Sequence, residues 1–117
     1  MGPVPKELDL DRIVGMRLLQ VCLEAHEFRL VFEDGSGIRC LGAVAASVNG
    51  IYSHVFLGGR WQDVSPLTQI VGRKVNSWDG AASHVLQITF IPEAELTLIS
   101  EDSKSEDFIF DPEDIRW

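Results

Sequence analysis

The sequence predicts an all-β domain, a small sandwich or partly open barrel built from two copies of one unit. In that unit a helical turn is followed by a strand and then a hairpin. Three observations predict the fold: a motif is written twice, apolar and polar residues alternate after each copy, and turn-forming glycine dipeptides recur along the chain. All three are local signals for short strands joined by tight turns.

The length predicts one domain. With 117 residues the chain is close to the commonest domain size, and a chain of this length buries enough surface for an ordinary core. We therefore expect a single domain over residues 1–117. Its expected parts are repeat copy one (about 8–42), a hairpin insertion (about 43–64), repeat copy two (about 65–100) and C-terminal strands (106–117).

The repeated motif predicts a helical turn that ends at a glycine. It reads IVGMRL from Ile13 and IVGRKV from Ile70, which lies 57 positions later. A leucine three residues before each isoleucine completes an apolar face of a helical turn, and the glycine suits a left-handed C-cap. In the second copy Ser65 is the expected N-cap and Pro66 the expected first helical residue.

Alternating runs after each motif predict strands with one buried face. The inward residues are Phe28, Leu30 and Phe32 in copy one, and Leu86, Ile88 and Phe90 in copy two. The expected hairpin turns are EDGSG (33–37) and IPEAE (91–95), and the expected return strands carry Ile38 and Cys40, or Leu96 and Leu98. The strands directly after the two motifs match less well. Leu19 aligns with Asn76, so we expect that they do not bury the same face throughout.

The segment between the copies predicts two further hairpins, at Asn49–Gly50 and at Gly58–Gly59. Both dipeptides suit two-residue hairpin loops. The alanine-rich GAVAAS stretch (42–47) leaves a short helix open as an alternative. After copy two, DFIFD (107–111) predicts a strand, Asp111–Pro112 a turn and the last three residues a final pairing.

The charge distribution predicts a partner of opposite sign. The net charge is −8, and residues 93–114 carry that whole excess, with nine acids and one base. Such a surface repels nucleic acid and anionic membranes and attracts basic proteins. The acidic face expected to bind a basic partner consists of Glu101, Asp102, Glu106, Asp107 and Asp111. The alternative is a solvated surface that has no partner.

Catalysis and cofactor binding are not expected. The sequence has no G-x-S-x-G elbow, no Walker loop and no G-x-G-x-x-G motif, so no catalytic residues are assigned. His26 and His84 occupy matching positions of the two copies, but no Cys, Asp or Glu at ligand spacing accompanies them, and we expect no metal. We also expect a cytoplasmic protein, since no apolar run approaches the ~20 residues of a membrane helix and Cys22 and Cys40 lack a disulfide or metal pattern.

Two function classes therefore remain from the residues alone. The first is a non-enzymatic protein-binding domain that uses the acidic face. The alternative is a small-molecule-binding β domain with a pocket in the middle segment near Tyr52, His54 and Trp61, because aromatic side chains are common in binding sites. A homodimer formed through an edge strand is compatible with either class.

The whole pattern, G-x-x-V/L followed by L-x-L-x-F-x-D-G-x-x-L-x-I, an acidic end and a terminal Trp117, resembles a group of small uncharacterised bacterial two-repeat all-β domains. Some members of that group are immunity-type proteins of polymorphic toxin systems. The resemblance covers about Leu10 to Trp117, and the second copy departs from it with Pro92–Glu93 in place of Asp-Gly. It implies an inhibitor of a basic toxin, with a nuclease as the sharpest case, and it carries no catalytic residues.

Overall fold

The computed structural model describes residues 4–81, 84–100 and 107–117. Within these ranges the chain forms a 3₁₀ turn at Asp11–Ile13, one short helix and ten strands. The helix is α1 (Ser65–Ile70), and the strands are β1 (Leu18–Leu23), β2 (Phe28–Phe32), β3 (Gly37–Cys40), β4 (Ala43–Val48), β5 (Ile51–Phe56), β6 (Lys74–Asp79), β7 (Val85–Ile91), β8 (Ala94–Ile99), β9 (Phe108–Asp111) and β10 (Ile115–Arg116). No helix in the described part of the chain is long and apolar enough to cross a bilayer.

The strands form two antiparallel five-stranded sheets, which confirms the all-β prediction. The strand order is β1-β2-β3-β9-β10 in the first sheet and β5-β4-β8-β7-β6 in the second. The sheets do not close into a barrel, so the molecule is a sandwich. The alanine-rich stretch forms β4 and not a helix, because its pairing with β5 and β8 satisfies its backbone groups on both edges.

Each sheet combines three strands from one half of the chain with a hairpin from the other half: β1–β3 with β9–β10, and β6–β8 with β4–β5. After β3 the chain crosses to pair β4 with β8, and after β8 it crosses back to pair β9 with β3. The crossing after β3 is tight, since a Cβ on Gly42 would lie 2.6 Å from the Cβ of Asp107. The β4–β5 and β9–β10 hairpins thus take equivalent places in opposite sheets.

Backbone hydrogen bonds where β1 and β6 meet come in reciprocal pairs. Gly15 N donates to Val75 O and Gly72 N donates to Leu18 O, both over 2.8 Å. A second pair has the same relation, with Leu18 N donating to Arg73 O over 3.0 Å and Val75 N donating to Met16 O over 2.8 Å. Exchanging each residue with the one 57 positions away converts one bond of a pair into the other. The two motif regions are therefore related by an approximate twofold axis.

A β-bulge in each first strand explains why Leu19 and Asn76 do not match in character. The β1–β2 register shifts between Leu18 and Gln20, and the β6–β7 register shifts between Val75 and Ser77. Leu19 and Asn76 are the extra residues of the two bulges, and both are exposed. A bulge leaves its extra residue unpaired, so neither residue needs to match a core position.

The turns follow the predicted residues in most places. Gly15 has φ +87° and Gly72 has φ +92°, the left-handed conformation expected of a C-cap. The N-terminus of α1 differs from the prediction, since Ser65 is itself the first helical residue. Asp63 Oδ1 accepts the Ser65 N–H at 3.0 Å and the Ser65 hydroxyl at 2.8 Å. The Asp63 carboxylate, two residues before Ser65, therefore accepts the first backbone N–H of the helix.

The core lies between the sheets and consists mainly of apolar side chains. Side chains from both sheets contribute to it, namely Phe28, Leu30, Phe32, Ile38, Phe108, Phe110, Leu86, Ile88, Phe90, Leu96 and Leu98. Fully burying a side chain of this size contributes about 1.5–3 kcal/mol relative to exposure, so burial of these side chains favours the packing of the two sheets. Cys22 and Cys40 are free thiols, and complete burial raises the pKa of Cys40 well above its ordinary value.

Candidate docking groove

Several large apolar side chains are exposed, and some of them cluster on one surface of the molecule. Nine large hydrophobic residues of the described chain are exposed: Val14, Leu19, Leu23, Ile51, Tyr52, Leu57, Val64, Val71 and Ile91. Four of them, Leu19, Leu23, Val64 and Val71, line adjoining parts of a single depression. Clustered exposed apolar groups of this kind mark interaction sites more often than scattered ones do.

The depression, called the docking groove here, lies between β1 and α1. Its main part has a volume of about 340 Å³ and is lined by Leu19, Gln20, Val21, Leu23, Val64, Leu67, Thr68 and Val71. A second part of about 450 Å³ continues past Leu23 to Trp61 and Asp63. Gln20 and Thr68 are the polar residues of the main part, so its walls are mostly aliphatic.

The groove exists because β1 is an edge strand. In its sheet β1 is paired with β2 alone, and its other side meets β6 near Arg17, which bridges to Lys74. Natural edge strands are usually protected by charged residues, proline or a bulge. The β1 sequence LLQVCL has neither charge nor proline, and its bulge leaves Leu19 58% exposed.

The far wall of the groove is fixed by Trp61. Its indole N–H donates to the Glu24 carbonyl at 2.7 Å, which ties the segment before α1 to the β1–β2 hairpin. The ring packs against Phe28 and Phe56, with centroid distances of 5.2 and 4.9 Å. The wall is therefore anchored to the core.

Charges differ between the two ends of the groove. The exposed carboxylate of Asp63 lies at the Leu23 end. Hydrogen bonds from the Ser65 hydroxyl and the Ser65 N–H lower the pKa of Asp63, so this carboxylate is ionised at neutral pH. At the other end Arg17 Nη1 donates to Gly72 O at 2.8 Å, next to Val71. A bound segment would meet negative charge at one end and positive charge at the other.

The acidic residues expected from the sequence lie elsewhere. Glu101, Asp102 and Glu106 fall outside the described residues. Asp107 is only 9% exposed, and its carbonyl accepts the N–H groups of Leu41 and Gly42. Asp111 is half-buried at the end of β9, opposite Gly37.

The aromatic residues expected to form a pocket are divided between two places. Tyr52 and His54 lie together on β5, both exposed, with ring centroids 5.5 Å apart. Trp61 lines the second part of the docking groove with Leu23 and Asp63. Of the three residues, Trp61 is the one that this groove includes.

Within residues 4–81, 84–100 and 107–117, no group of three or more His, Cys, Asp and Glu side chains could hold a metal ion. His26 Nδ1 lies 3.2 Å from the Gly59 carbonyl, so its ring contacts the Gly58–Gly59 loop.

Sequence reasoning missed the docking groove, although one signal for it was present. Leu19 and Leu23 of copy one align with Asn76 and Gly80 of copy two, so copy one has apolar residues where copy two does not. The other wall is formed by Val64, Leu67 and Thr68. Their proximity to β1 depends on tertiary packing, which spacing along the chain does not reveal.

Comparisons of the chain with protein-family models, with curated proteins and with solved structures gave no match.

Proposed function

We propose that this chain is a non-enzymatic protein-binding domain, and that the docking groove is where its partner binds. The observation that supports this proposal best is the cluster of Leu19, Leu23, Val64 and Val71, all exposed between the edge strand β1 and α1. Covering these side chains removes apolar surface from water, which contributes about 25 cal/mol per Å². A protein partner would also protect the open edge of β1.

The charge of the chain favours a basic partner. The net charge of −8 steers positively charged proteins toward it and raises their association rate at low salt. Asp63, which lines the second part of the groove, provides negative charge at the groove itself. Together with the sequence resemblance, this supports a bacterial, cytoplasmic immunity-type inhibitor of a basic toxin as the specific form of the proposal.

A pull-down from a cell extract of the source organism tests the proposal with four baits. They are the wild-type chain, a groove variant with Leu19→Asp and Val71→Asp, a charge variant with Glu101→Lys, Asp102→Lys and Glu106→Lys, and the control Ile51→Asp. Ile51 is the matched control because it is apolar, 74% exposed and located on β5. Asp107 is left unchanged because it is buried beside Gly42.

We expect wild type and the control to retain the same basic protein, and the groove variant to bind it about tenfold more weakly or worse. The charge variant should retain it less, mainly at low salt, where electrostatic attraction is least screened. Equal retention by the groove variant and wild type would show that the partner binds elsewhere. Thermal unfolding of each bait checks that the loss does not come from unfolding.

A small-molecule-binding domain is the second candidate, and it is favoured by the part of the groove beside Trp61, whose volume is about 450 Å³. In this candidate an apolar ligand would lie against the Trp61 ring, and Tyr52 and His54 would contribute only if the ligand extended to β5. A metabolite panel should then raise the melting temperature of wild type but not that of Trp61→Ala. Protein capture that depends on the groove, with no thermal shift in the panel, would exclude it.

A further inference from the structure

We propose that the docking groove binds one aromatic side chain, of the size of an indole, which a protein partner presents beside basic residues. This inference rests on the proposed function and names the anchor of the partner. The evidence is a comparison of the two halves of the molecule. The half that contains β6 has an equivalent groove, and a side chain of the chain itself fills it.

The reciprocal hydrogen bonds between the motif regions show which residues are equivalent. Gly15 N to Val75 O and Gly72 N to Leu18 O exchange under a shift of 57 positions. The bulges at Leu19 and Asn76 are also 57 positions apart. Under it, Val21 on β1 corresponds to Trp78 on β6, and Thr68 on α1 corresponds to Asp11 in the 3₁₀ turn.

In the second half Trp78 spans the space between β6 and the 3₁₀ turn. Its indole N–H donates to Asp11 Oδ1 at 2.8 Å, and its ring packs against the core. Gly80 leaves room beside the ring, with Val4 covering it. A Cβ added at Gly80 would lie 3.1 Å from Val4 and 3.4 Å from the Trp78 ring. The equivalent groove is therefore closed by an aromatic residue of the chain itself.

In the first half the corresponding space is open. Val21 is smaller than the indole of Trp78, and Val21 and Thr68 both line the groove of about 340 Å³. Trp61, which corresponds to Val4, packs against Phe28 and Phe56 and does not line this main part. An apolar cavity of about 150 Å³ is enough to hold benzene, so the groove has room for an indole.

Thr68 is placed to accept the polar group of such a guest. Its hydroxyl donates to the Ser65 carbonyl at 2.7 Å, which leaves the lone pairs of Oγ1 to accept an indole N–H. Asp11 has this accepting role for Trp78 in the second half. A buried indole N–H usually requires such a partner.

Charge selects the residues that flank the aromatic anchor. Asp63 is exposed at the Leu23 end of the groove, so a Lys or Arg next to the anchor would find opposite charge there. Arg17 at the Val71 end disfavours a second basic group on that side. The bound segment is therefore oriented, with its basic flank toward Leu23.

Three short peptides test the anchor on the wild-type chain: acetyl-Lys-Trp-Ala amide, acetyl-Lys-Ala-Ala amide and acetyl-Glu-Trp-Ala amide. Each is titrated into isotope-labelled protein while the backbone amide resonances are followed by NMR. We expect Lys-Trp-Ala to shift the amides of Val21, Thr68 and Val71. Lys-Ala-Ala should bind at least about tenfold more weakly, since the aromatic ring supplies the buried contact. Glu-Trp-Ala should lie between them.

A variant that fills the groove from inside provides the second test. Val21→Trp combined with Thr68→Asp reproduces the pairing of Trp78 and Asp11 in the first half. We expect it to keep the wild-type melting temperature or exceed it, and to lose the Lys-Trp-Ala shifts. Ile51→Trp adds an indole on β5 instead and should keep those shifts.

Equal binding of Lys-Trp-Ala and Lys-Ala-Ala, or shifts located away from the groove, would overturn the proposal even if the filled variant failed to fold. A second copy of the chain is the competing occupant. A dimer in sedimentation that the filled variant converts to a monomer, without a specific effect of Lys-Trp-Ala, would also overturn it. Groove-dependent capture of a protein with no preference for the aromatic peptide would leave the proposed function standing and reject only the anchor.

Discussion

At the scale of single residues, Asp34 and Arg12 connect parts that are distant in the chain. Asp34 Oδ1 accepts the N–H of Ser36 at 2.9 Å, and its Oδ2 accepts Arg12 Nε at 3.1 Å. Arg12 also contacts Glu113 in the β9–β10 turn and lies 5.9 Å from the centre of the Phe110 ring. One guanidinium thus holds two hairpin turns beside the 3₁₀ turn.

The pKa of Asp34 gives a pH-dependent prediction. Burial alone would raise it, but the hydrogen bonds from Ser36 and the charge of Arg12 outweigh burial and lower it. A carboxyl whose folded-state pKa is lowered adds stability above its unfolded pKa of about 3.9, and this stability is lost as the pH falls through the folded value. Asp34→Asn should therefore lower the melting temperature at pH 7, and the difference from wild type should shrink below about pH 4.

Thermal unfolding followed by circular dichroism between pH 2.5 and 7 measures that difference. Glu7→Gln serves as the control because it removes one exposed carboxylate of the same charge without touching the Arg12 contacts. A gap between Asp34→Asn and wild type that stays constant across this range would show that the ionised carboxylate contributes nothing to stability.

At the scale of elements, each half has an arginine that contacts two hairpin turns, although the two arginines are not at matching positions. Arg73 donates to the Pro92 carbonyl in the β7–β8 turn and to Asn49 Oδ1 in the β4–β5 turn. Arg12 performs the same bridging for the β2–β3 and β9–β10 turns. Each half thus has a cation between two hairpin turns, and residues at different positions provide it.

The two C-cap glycines give a prediction at this scale. A Cβ at Gly15 or Gly72 would meet nothing within 4 Å, so an alanine there suffers only from the positive φ. Gly15→Ala and Gly72→Ala should each lower the free energy of unfolding by about 1–2 kcal/mol. Gly72→Asn should cost less, because asparagine tolerates this conformation. Urea unfolding curves measure all three, and an alanine variant as stable as wild type would contradict the cap assignment.

At the scale of the whole molecule, local patterns predicted the elements well. Period-two alternation located the inward faces of β2 and β7, and Asn49–Gly50 located the β4–β5 turn, where Asn49 has φ +50° and Gly50 φ +84°. Both signals depend on neighbours in the chain, so a single sequence contains them. The all-β fold followed from the number and shortness of such segments, which left a sandwich and a partly open barrel as alternatives.

The remaining features depend on contacts that spacing does not report. The pairing of β3 with β9 joins Ile38 to Phe110 across most of the chain, and alternation in either strand is compatible with several partners. The docking groove forms because Val21 occupies the place that Trp78 fills in the other half. The correspondence of Val21 with Trp78 can be recognised only in the structure, because the bulges and the reciprocal hydrogen bonds show which residues of the two halves are equivalent.

The central claim is that a protein partner occupies the docking groove, and site-specific photo-crosslinking in living cells of the source organism tests it most directly. A benzophenone amino acid is placed at Val64 on the groove, or at Ile51 on β5 as the matched exposed control. The proposal predicts a discrete adduct from position 64, none from position 51, and loss of the adduct when Val21→Trp and Thr68→Asp fill the groove. The same adduct from both positions, or no adduct from position 64, would contradict it.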